Sequence, residues 1–256
     1  MKKTAWKKRA VAVLIAVLTI PSDAFAHVRT YAWNQIYSTL PKGQFEVEGY
    51  TTLRVPDDKH SNENEWEYQG ELEYGVTDHL NIAHYERWET VNRAGMDDNG
   101  IPKKDSTKHS GFKFEAKYRI GEKGKYWVDP LLYLEISRDP RKHDIPMELE
   151  GKIVLSKDLG KFNLTYNQIM ASELGSEGRT THEFTLGMNY ELFSGFRLGI
   201  ESQGQYWNPG SNRNELAMGP TVAYETPWFW VAVGALFGLN HAADDTQARI
   251  LVGVPF

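Results

Sequence analysis

The last ten residues, Gln247-Ala-Arg-Ile-Leu-Val-Gly-Val-Pro-Phe256, alternate between two kinds of side chain. In an extended chain, successive side chains point to opposite faces. One face is apolar throughout and consists of Ala248, Ile250, Val252, Val254 and Phe256. The other face is mixed and carries Gln247 and Arg249. This pattern suits a strand with one face toward lipid and one toward the lumen of a barrel, although a soluble sheet could also use it.

The same ending resembles the terminal-phenylalanine signal by which bacterial outer-membrane β-barrels are recognised for assembly. The resemblance implies that the barrel-assembly machinery is a partner and that the assembly signal consists of Ile250, Val252, Val254 and Phe256. The penultimate Pro255 departs from the usual pattern, but proline is tolerated at the end of a strand.

The amino terminus has the layout of a secretory signal. Five basic residues within positions 2–9 precede an apolar run over 10–20, and small residues follow up to Ala26. The run is too short for a bilayer span, which needs roughly twenty residues. We therefore expect a Sec-dependent signal peptide over 1–26, with His27 as the first mature residue. A retained amphipathic anchor is the alternative.

Composition excludes several classes of protein. The mean hydropathy of the 256-residue chain is −0.53, too polar for a helical membrane protein. A barrel can span a membrane at this polarity because every second residue faces the lumen. The net charge of −5 gives no electrostatic reason to expect nucleic acid as a partner. Because there are no cysteines, disulfides, thiolate nucleophiles and cysteine-ligated metals are excluded.

From residue 44 onward the alternation recurs about twelve times. It is clearest over Phe112–Ile120, where aromatic and aliphatic residues oppose Lys113, Glu115, Lys117 and Arg119. The pattern predicts an all-β fold, a transmembrane antiparallel up-and-down β-barrel of about 12 strands over 44–256. An even number of strands places both termini on the periplasmic side. Residues 27–43 are expected to be a periplasmic lead-in or a short tuck into the barrel mouth.

The predicted connections alternate in length. Short turns are expected at 77–79, 121–124, 157–160, 194–195 and 226–227, and longer polar loops at 56–63, 92–109, 139–144, 175–180, 208–214 and 240–246. Aromatic residues cluster near both kinds of strand end, where amphipathic rings favour a membrane interface. A soluble sandwich has Greek-key connections without such regular alternation. The layout therefore favours a barrel in contact with outer-membrane lipid.

The predicted lumen face is densely charged. We expect it to be lined by Glu46, Glu48, Arg54, Glu67, Glu71, Glu73, Lys113, Glu115, Lys117, Arg119, Glu148, Glu150, Lys152, Arg197, Glu201 and Arg249. Two interpretations stay open. The charges could form a salt-bridged filling that closes a narrow barrel, or they could line a water-filled path whose acid-rich wall disfavours anions. Eight-stranded barrels are filled and sixteen-stranded ones are open, so twelve is the ambiguous size.

An enzymatic function is not expected. Outer-membrane phospholipases carry His-x-Ser-Asn, whereas this chain has His60-Ser61-Asn62 and His109-Ser110-Gly111, both without the intervening residue. Adjacent side chains of a strand point apart, so these histidines are poorly placed to activate the serines. His27 and the Asp97-Asp98 pair lack the further ligands of a metal site. We predict no catalytic residue, no metal and no cofactor.

The segment Glu73–Asn81 is similar to the tight-turn hairpins of transporter-like outer-membrane barrels, such as the family associated with phenol-degradation meta-pathways. This resemblance implies passage of small solutes without naming one. The favoured hypothesis is a non-enzymatic channel or uptake barrel for a small-molecule solute. The alternative is a structural or interaction barrel with a plugged lumen that displays the 92–109 loop to a partner. A lipid hydrolase is the least favoured.

Overall fold

The structure, a computed structural model, describes residues 29–93, 106–141, 147–175, 178–207 and 214–256. The predicted signal peptide, His27 and most of the 92–109 loop lie outside these residues. The described strands are β1 (Phe45–Val55), β2 (Asn64–Thr77), β3 (Leu80–Asn92), β4 (Lys108–Arg119), β5 (Asp129–Arg138), β6 (Glu148–Leu159), β7 (Phe162–Glu173), β8 (Thr180–Phe193), β9 (Phe196–Trp207), β10 (Glu215–Glu225), β11 (Trp230–Gly238) and β12 (Thr246–Pro255).

The twelve strands close into one antiparallel barrel. Each strand pairs with the next one in the sequence, and β12 pairs with β1 to complete the ring. The closing register runs from Glu46 opposite Pro255 to Val55 opposite Thr246. Closure leaves no sheet edge, so the wall satisfies its own backbone hydrogen bonds. The predicted fold class and strand number are confirmed.

The alternation of side chains separates two environments. On β4, Phe114 and Tyr118 are exposed on the outer surface, whereas Glu115 and Lys117 are buried inside the barrel. The outer surface is therefore apolar although the chain as a whole is polar. On β3, burial follows strict alternation through Tyr85, and the register shift comes later, between Arg87 and Trp88.

The connections define two ends of the barrel. The short-turn end includes the β2–β3, β6–β7 and β8–β9 connections, and Phe256 stacks there on Phe45 at a centroid distance of 5.7 Å. The β4–β5 connection, 120–128, is longer than the predicted turn, because β5 begins only at Asp129. The opposite, long-loop end carries a short 3-10 helix, Asp58–His60. No helix in the described part of the chain is long and apolar enough to cross a membrane.

Residues 29–43, hereafter the plug segment, run from the short-turn end into the lumen. At the entrance, the backbone N–H of Gly43 donates to the Gly75 carbonyl and the Thr39 hydroxyl donates to the Asp78 carbonyl. Further inside, Tyr31 and Leu40 are completely buried. The segment thus fills part of the space that the wall encloses.

Candidate functional site

The carboxylate of Glu201 on β9 holds the deepest part of the plug segment. It accepts hydrogen bonds from three successive backbone N–H groups, those of Ala32 at 2.7 Å, Trp33 at 2.8 Å and Asn34 at 2.9 Å. The Asn34 amide adds a fourth bond, 3.1 Å long. Consecutive N–H groups that converge on one anion form a nest-like arrangement. Glu201 therefore acts as the latch of the plug segment.

Two inward-facing glycines make room for this segment. A Cβ atom at Gly187 would lie 2.6 Å from the Tyr31 ring, and one at Gly234 would lie 2.4 Å from the Trp33 ring. Both distances are too short for any side chain to fit without displacing its neighbour. The wall at these two positions is therefore shaped to accept the plug segment.

Further polar and apolar contacts hold the plug segment against the barrel wall. The Tyr31 hydroxyl donates to Asn163 on β7, and the Asn167 amide donates to the Asn34 side chain at 3.0 Å. Nearer the short-turn end, the Tyr37 hydroxyl donates to the Gly121 carbonyl at 2.6 Å, and its ring belongs to a buried apolar cluster of the wall. These contacts span several strands, so the segment is fixed along its length.

Beside the plug segment, the short-turn half of the lumen contains a buried cluster of acids. The cluster consists of Glu46, Glu48, Glu71, Glu73 and Glu115. The Lys117 ammonium lies 2.8 Å from Glu73 and 3.2 Å from Glu115, and the three side chains have no solvent exposure. Glu48 lies 3.4 Å from Arg29 of the plug segment. Buried charges need such partners because desolvation costs several kcal/mol for each ion.

Neutral donors complete this acid cluster. The Tyr50 hydroxyl lies within hydrogen-bond distance of both Glu48 and Glu71 and has one proton to donate to them. Tyr85 donates to Glu115, and the Trp230 indole donates to Glu46 at 3.0 Å. Carboxylate oxygens of Glu46, Glu48 and Glu73 lie within 4.8 Å of one another, a spacing that a cation could bridge. Lys117 already supplies a positive charge at this position, so the geometry alone does not make it a metal site.

Above the plug segment, toward the long-loop end, the lumen contains a cavity of about 290 Å³, hereafter the plug cavity. Arg29, Trp33 and Gln35 of the plug segment contribute to its lining. Two further cavities, of about 440 and 250 Å³, share lining residues with it, including Arg87 and Arg54 respectively. Together the three cavities occupy the long-loop half of the lumen.

Three ion pairs contribute to the wall of the plug cavity. Glu67 pairs with Arg87 at 2.9 Å, Glu135 with Lys113 at 3.0 Å, and Glu150 with Lys152 at 2.8 Å. Cations also lie over aromatic rings that line the cavity, Lys113 over Tyr85, Lys152 over Tyr133 and Arg249 over Trp33. The wall therefore carries both signs of charge in an ordered arrangement.

The remaining predicted lumen residues lie in the long-loop half, near the short-turn end, or beside a turn at that end. Arg54 and Glu148 line the cavities of the long-loop half, and Arg54 is 3.8 Å from Asp244. Arg197 pairs with Glu191 at 2.6 Å near the short-turn end. Arg119 reaches the Asp78 carbonyl and lies 3.8 Å from Glu122 in the adjacent turn. The sequence did not single out Tyr50, Tyr85 or the residues of the plug segment.

The predicted assembly signal lies on the outer surface. Ile250, Val252 and Phe256 are exposed there, and Val254 is half-buried. This placement describes where the side chains are, and their recognition during assembly stays a prediction.

The histidine–serine pairs form no nucleophile–base arrangement among the described residues. His109 Nε2 is 2.6 Å from Glu86, whereas the buried Ser110 hydroxyl has no hydrogen-bond partner in this part of the chain. His60 Nδ1 is 2.9 Å from Asp57. Both histidines thus interact with carboxylates.

Comparisons with known proteins describe the fold. Residues 23–137 match a family of unknown function, DUF6662. The sequence has no match among curated proteins. An outer membrane channel from Pseudomonas putida F1 is 15% identical with a TM-score of 0.56, and covers 86% of this chain and 98% of its own.

Two further solved structures are similar. The NanC porin is 12% identical with a TM-score of 0.52, over 82% of this chain and 98% of its own. The translocator domain of the autotransporter NalP from Neisseria meningitidis is 12% identical with a TM-score of 0.53, over 86% of this chain and 91% of its own. At such identities the likeness concerns architecture. The chain therefore has the fold of bacterial outer-membrane β-barrels.

Proposed function

We propose that the protein is a non-enzymatic channel of the bacterial outer membrane for small solutes, closed in this structure by the plug segment. The observation that carries this proposal is the division of the lumen. Three neighbouring cavities that share charged lining residues occupy the long-loop half, and one of them is lined by a segment that belongs to no strand. Moving that segment would extend the path without opening the wall.

A comparison of the interactions that hold the barrel wall with those that hold the plug segment supports a movable plug. The wall is held by continuous backbone ladders between all neighbouring strands. The plug segment is held by the bonds to Glu201 and by side-chain contacts with several strands, and a hydrogen bond to a charged group contributes roughly 1.5–3 kcal/mol. Releasing the segment therefore costs far less than opening the barrel. An equilibrium between closed and open states is expected.

The second candidate function is a structural or interaction barrel whose lumen stays closed. The burial of the plug segment and its contacts with several strands favour this alternative. A lipid hydrolase receives less support, because no histidine bonds the buried Ser110 hydroxyl among the described residues. The channel and the closed barrel differ in whether release of the plug produces a current.

Planar-bilayer recording of four proteins tests the proposal. The mature chain should show rare openings, and deletion of residues 29–40 should produce a lasting conductance. Glu201→Gln should open more often than the native chain, because the glutamine amide would place N–H donors against the N–H groups of the plug segment. Glu191→Gln is the control, since Glu191 pairs with Arg197 in the same lumen.

One result would contradict the channel, and a second would contradict the specific role of Glu201. If the deletion variant folds but stays silent at high protein load, the lumen conducts nothing even without its plug. If Glu191→Gln opens as often as Glu201→Gln, the effect is a general one of lumenal charge. Heat-modifiable electrophoretic mobility verifies that each variant forms the barrel.

A further inference from the structure

Several hydrogen-bond donors of the plug cavity have no partner. Gln35 is only 4% exposed, and its Nε2 amide has no hydrogen-bond acceptor among the described residues. The buried Trp33 Nε1 is equally without an acceptor in this part of the chain. Both residues line the plug cavity. Unsatisfied buried donors are costly, and natural structures contain few of them without a reason.

Arg249 adds a charged donor to the same cavity. Its Nε donates to the Thr52 hydroxyl at 2.9 Å, and one terminal nitrogen makes a longer, 3.4 Å bond to the Ala32 carbonyl. Its guanidinium lies 5.4 Å from the centre of the Trp33 ring. Within the described ranges, no carboxylate lies within 4.0 Å of this guanidinium. Arg249 therefore retains donor capacity toward the cavity.

The acids of the cavity wall are already engaged. Glu67, Glu135 and Glu150 each pair with a lysine or arginine of the wall. Glu183 accepts hydrogen bonds from Gln205 and Thr181. What the cavity lacks is thus an acceptor, preferably an anionic one, placed near Arg249, Trp33 and Gln35.

We propose that the plug cavity binds a small organic solute through a carboxylate group. Arg249 supplies the charged donor, because a planar guanidinium matches a carboxylate in geometry and charge. Gln35 and Trp33 supply neutral donors from the plug segment. The proposal rests on the proposed channel function and names the class of its solute. The cavity volume of about 290 Å³ limits this solute to a small molecule.

This assignment changes what the sequence predicted for selectivity. An acid-rich lumen was expected to disfavour anions. In the folded barrel, three acids of the plug cavity, Glu67, Glu135 and Glu150, pair with neighbouring cations, and the buried lining atoms without a partner among the described residues are donors. The local preference at the plug cavity is therefore opposite to that of the wall as a whole.

Calorimetric titration of the mature chain in detergent tests the proposal, with succinate as the probe and succinamide as its neutral counterpart. Succinate should bind with a roughly millimolar Kd. Succinamide should bind at least about tenfold more weakly, since it lacks the charge that Arg249 recognises. Equal binding of the two compounds, or no binding of succinate at a concentration about a hundredfold higher, would overturn the proposal.

Variants locate the binding. Arg249→Gln and Gln35→Glu should each weaken succinate binding about tenfold or more, the first by removing the cation and the second by adding a negative charge. Arg249→Lys should restore part of the affinity. Arg197→Gln is the matched control, because this arginine pairs with Glu191 away from the plug cavity. Loss of binding in the control equal to that in Arg249→Gln would refute the assigned site.

The two proposals fail separately. Succinate binding by a barrel that never conducts would refute the channel and keep the site. Conductance after removal of the plug segment, together with a native chain that does not bind succinate, would keep the channel and refute the site. Heat-modifiable mobility identifies variants that do not fold. The ratio of succinate to succinamide affinity in the native chain tests the preference for a carboxylate without any variant.

Discussion

Lys117 and Lys113 lie four residues apart on the same strand and face the same lumen, yet their surroundings differ. Lys117, in the short-turn half, contacts Glu73 and Glu115 without any solvent exposure. Lys113, in the long-loop half, pairs with Glu135 beside the plug cavity and keeps a 19% exposed side chain. One alternating strand therefore supplies both a dry ionic core and a wall that faces a cavity.

The difference between the halves shows what strand alternation does and does not determine. Alternation decides which side chains face inward, and the closed ring fixes which inward side chains become neighbours. Whether the enclosed space is filled depends on a segment outside the strands. Where the plug segment and the acid cluster meet, Arg29 contacts Glu48 and the space is closed. Beyond Trp33 and Gln35 it remains open.

Replacement of the two lysines by methionine should have the largest effect and would break the comparison most directly. Lys117→Met leaves Glu73 and Glu115 buried without their cation, which is expected to cost about 3–5 kcal/mol in the free energy of unfolding. Lys113→Met should cost less, because this ion pair lines the plug cavity and the Lys113 side chain is 19% exposed, although that of Glu135 is only 6% exposed. Urea unfolding in lipid vesicles, followed by tryptophan fluorescence, measures both.

Lys123→Met is the control for this pair. Lys123 forms a 2.6 Å ion pair with Asp158 at the exposed short-turn end, where the contribution of an ion pair is small. Similar losses for Lys117→Met and Lys113→Met would mean that the two halves of the lumen are equally hydrated. The distinction between a dry half and an open half would then be wrong.

Substitution of a lumenal glycine should have an intermediate effect, and it tests whether the plug segment moves more easily than the barrel wall. In Gly234→Ala, the new Cβ would collide with the Trp33 ring and with Ala32, and overpacking costs about 1–3 kcal/mol. The plug segment should yield before the wall does. Hydrogen exchange at the backbone amides of residues 32–34, which donate to Glu201, should therefore become faster.

Gly151→Ala provides the matched control. A Cβ at Gly151 would meet no atom within 4 Å, so the same substitution on β6 should leave the three amides protected. If Gly234→Ala also leaves them protected while the barrel as a whole loses stability, the strain is taken up by the strands. The plug segment would then be a fixed part of the core and no gate.

The sequence predicted the wall well because its signal is periodic. On β4, aromatic or aliphatic residues alternate with charged ones from Phe112 to Arg119, whereas Ser110 and Gly111 break the alternation where the register with β3 shifts. The β4–β5 connection was harder. Gly121 and Gly124 suggest a tight turn, but the Asp129 carboxylate accepts from the Gly124 N–H at 2.7 Å and orders a longer loop. The sequence pattern gives no sign of this bond, because it forms only when the loop folds.

The plug segment could not be predicted in the same way. Residues 29–43 have no regular alternation, and their partners Asn163 and Glu201 are distant in the sequence. In the sequence, Gly187 and Gly234 resemble weak strand positions. The structure shows that the Tyr31 ring packs against Gly187 and the Trp33 ring against Gly234. Glu201 was predicted to face the lumen, but its role depends on three backbone N–H groups that carry no sequence signal.

The smallest expected effect concerns the long-loop end, where pH should change local order without affecting the lumen. A hydrogen bond to the Asp57 carboxylate, and then the charge of that group, raises the pKa of His60. The same bond, followed by one from the Lys59 N–H, lowers the pKa of Asp57. A raised histidine pKa stabilises the turn below the unfolded value of about 6.5, and this contribution is lost as pH rises through the folded value.

The lowered pKa of Asp57 acts in the opposite direction. Its contribution is present above the unfolded value of about 3.9 and is lost as pH falls through the folded value. The turn at 57–60 should therefore be most ordered between these limits. After correction for intrinsic rates, hydrogen exchange of the Lys59 and His60 amides should be roughly two- to threefold slower near pH 5 than near pH 8, the scale of an exposed ion pair.

His60→Gln should remove this pH dependence above pH 5, because glutamine does not titrate. The amides of residues 32–34 should show no comparable change in the native chain, since the turn makes its contacts at the opposite end of the barrel from the entrance of the plug segment. A parallel change at both places would mean that the long-loop end communicates with the plug segment. The two regions would then be coupled, and the latch at Glu201 would respond to events at the outer loops.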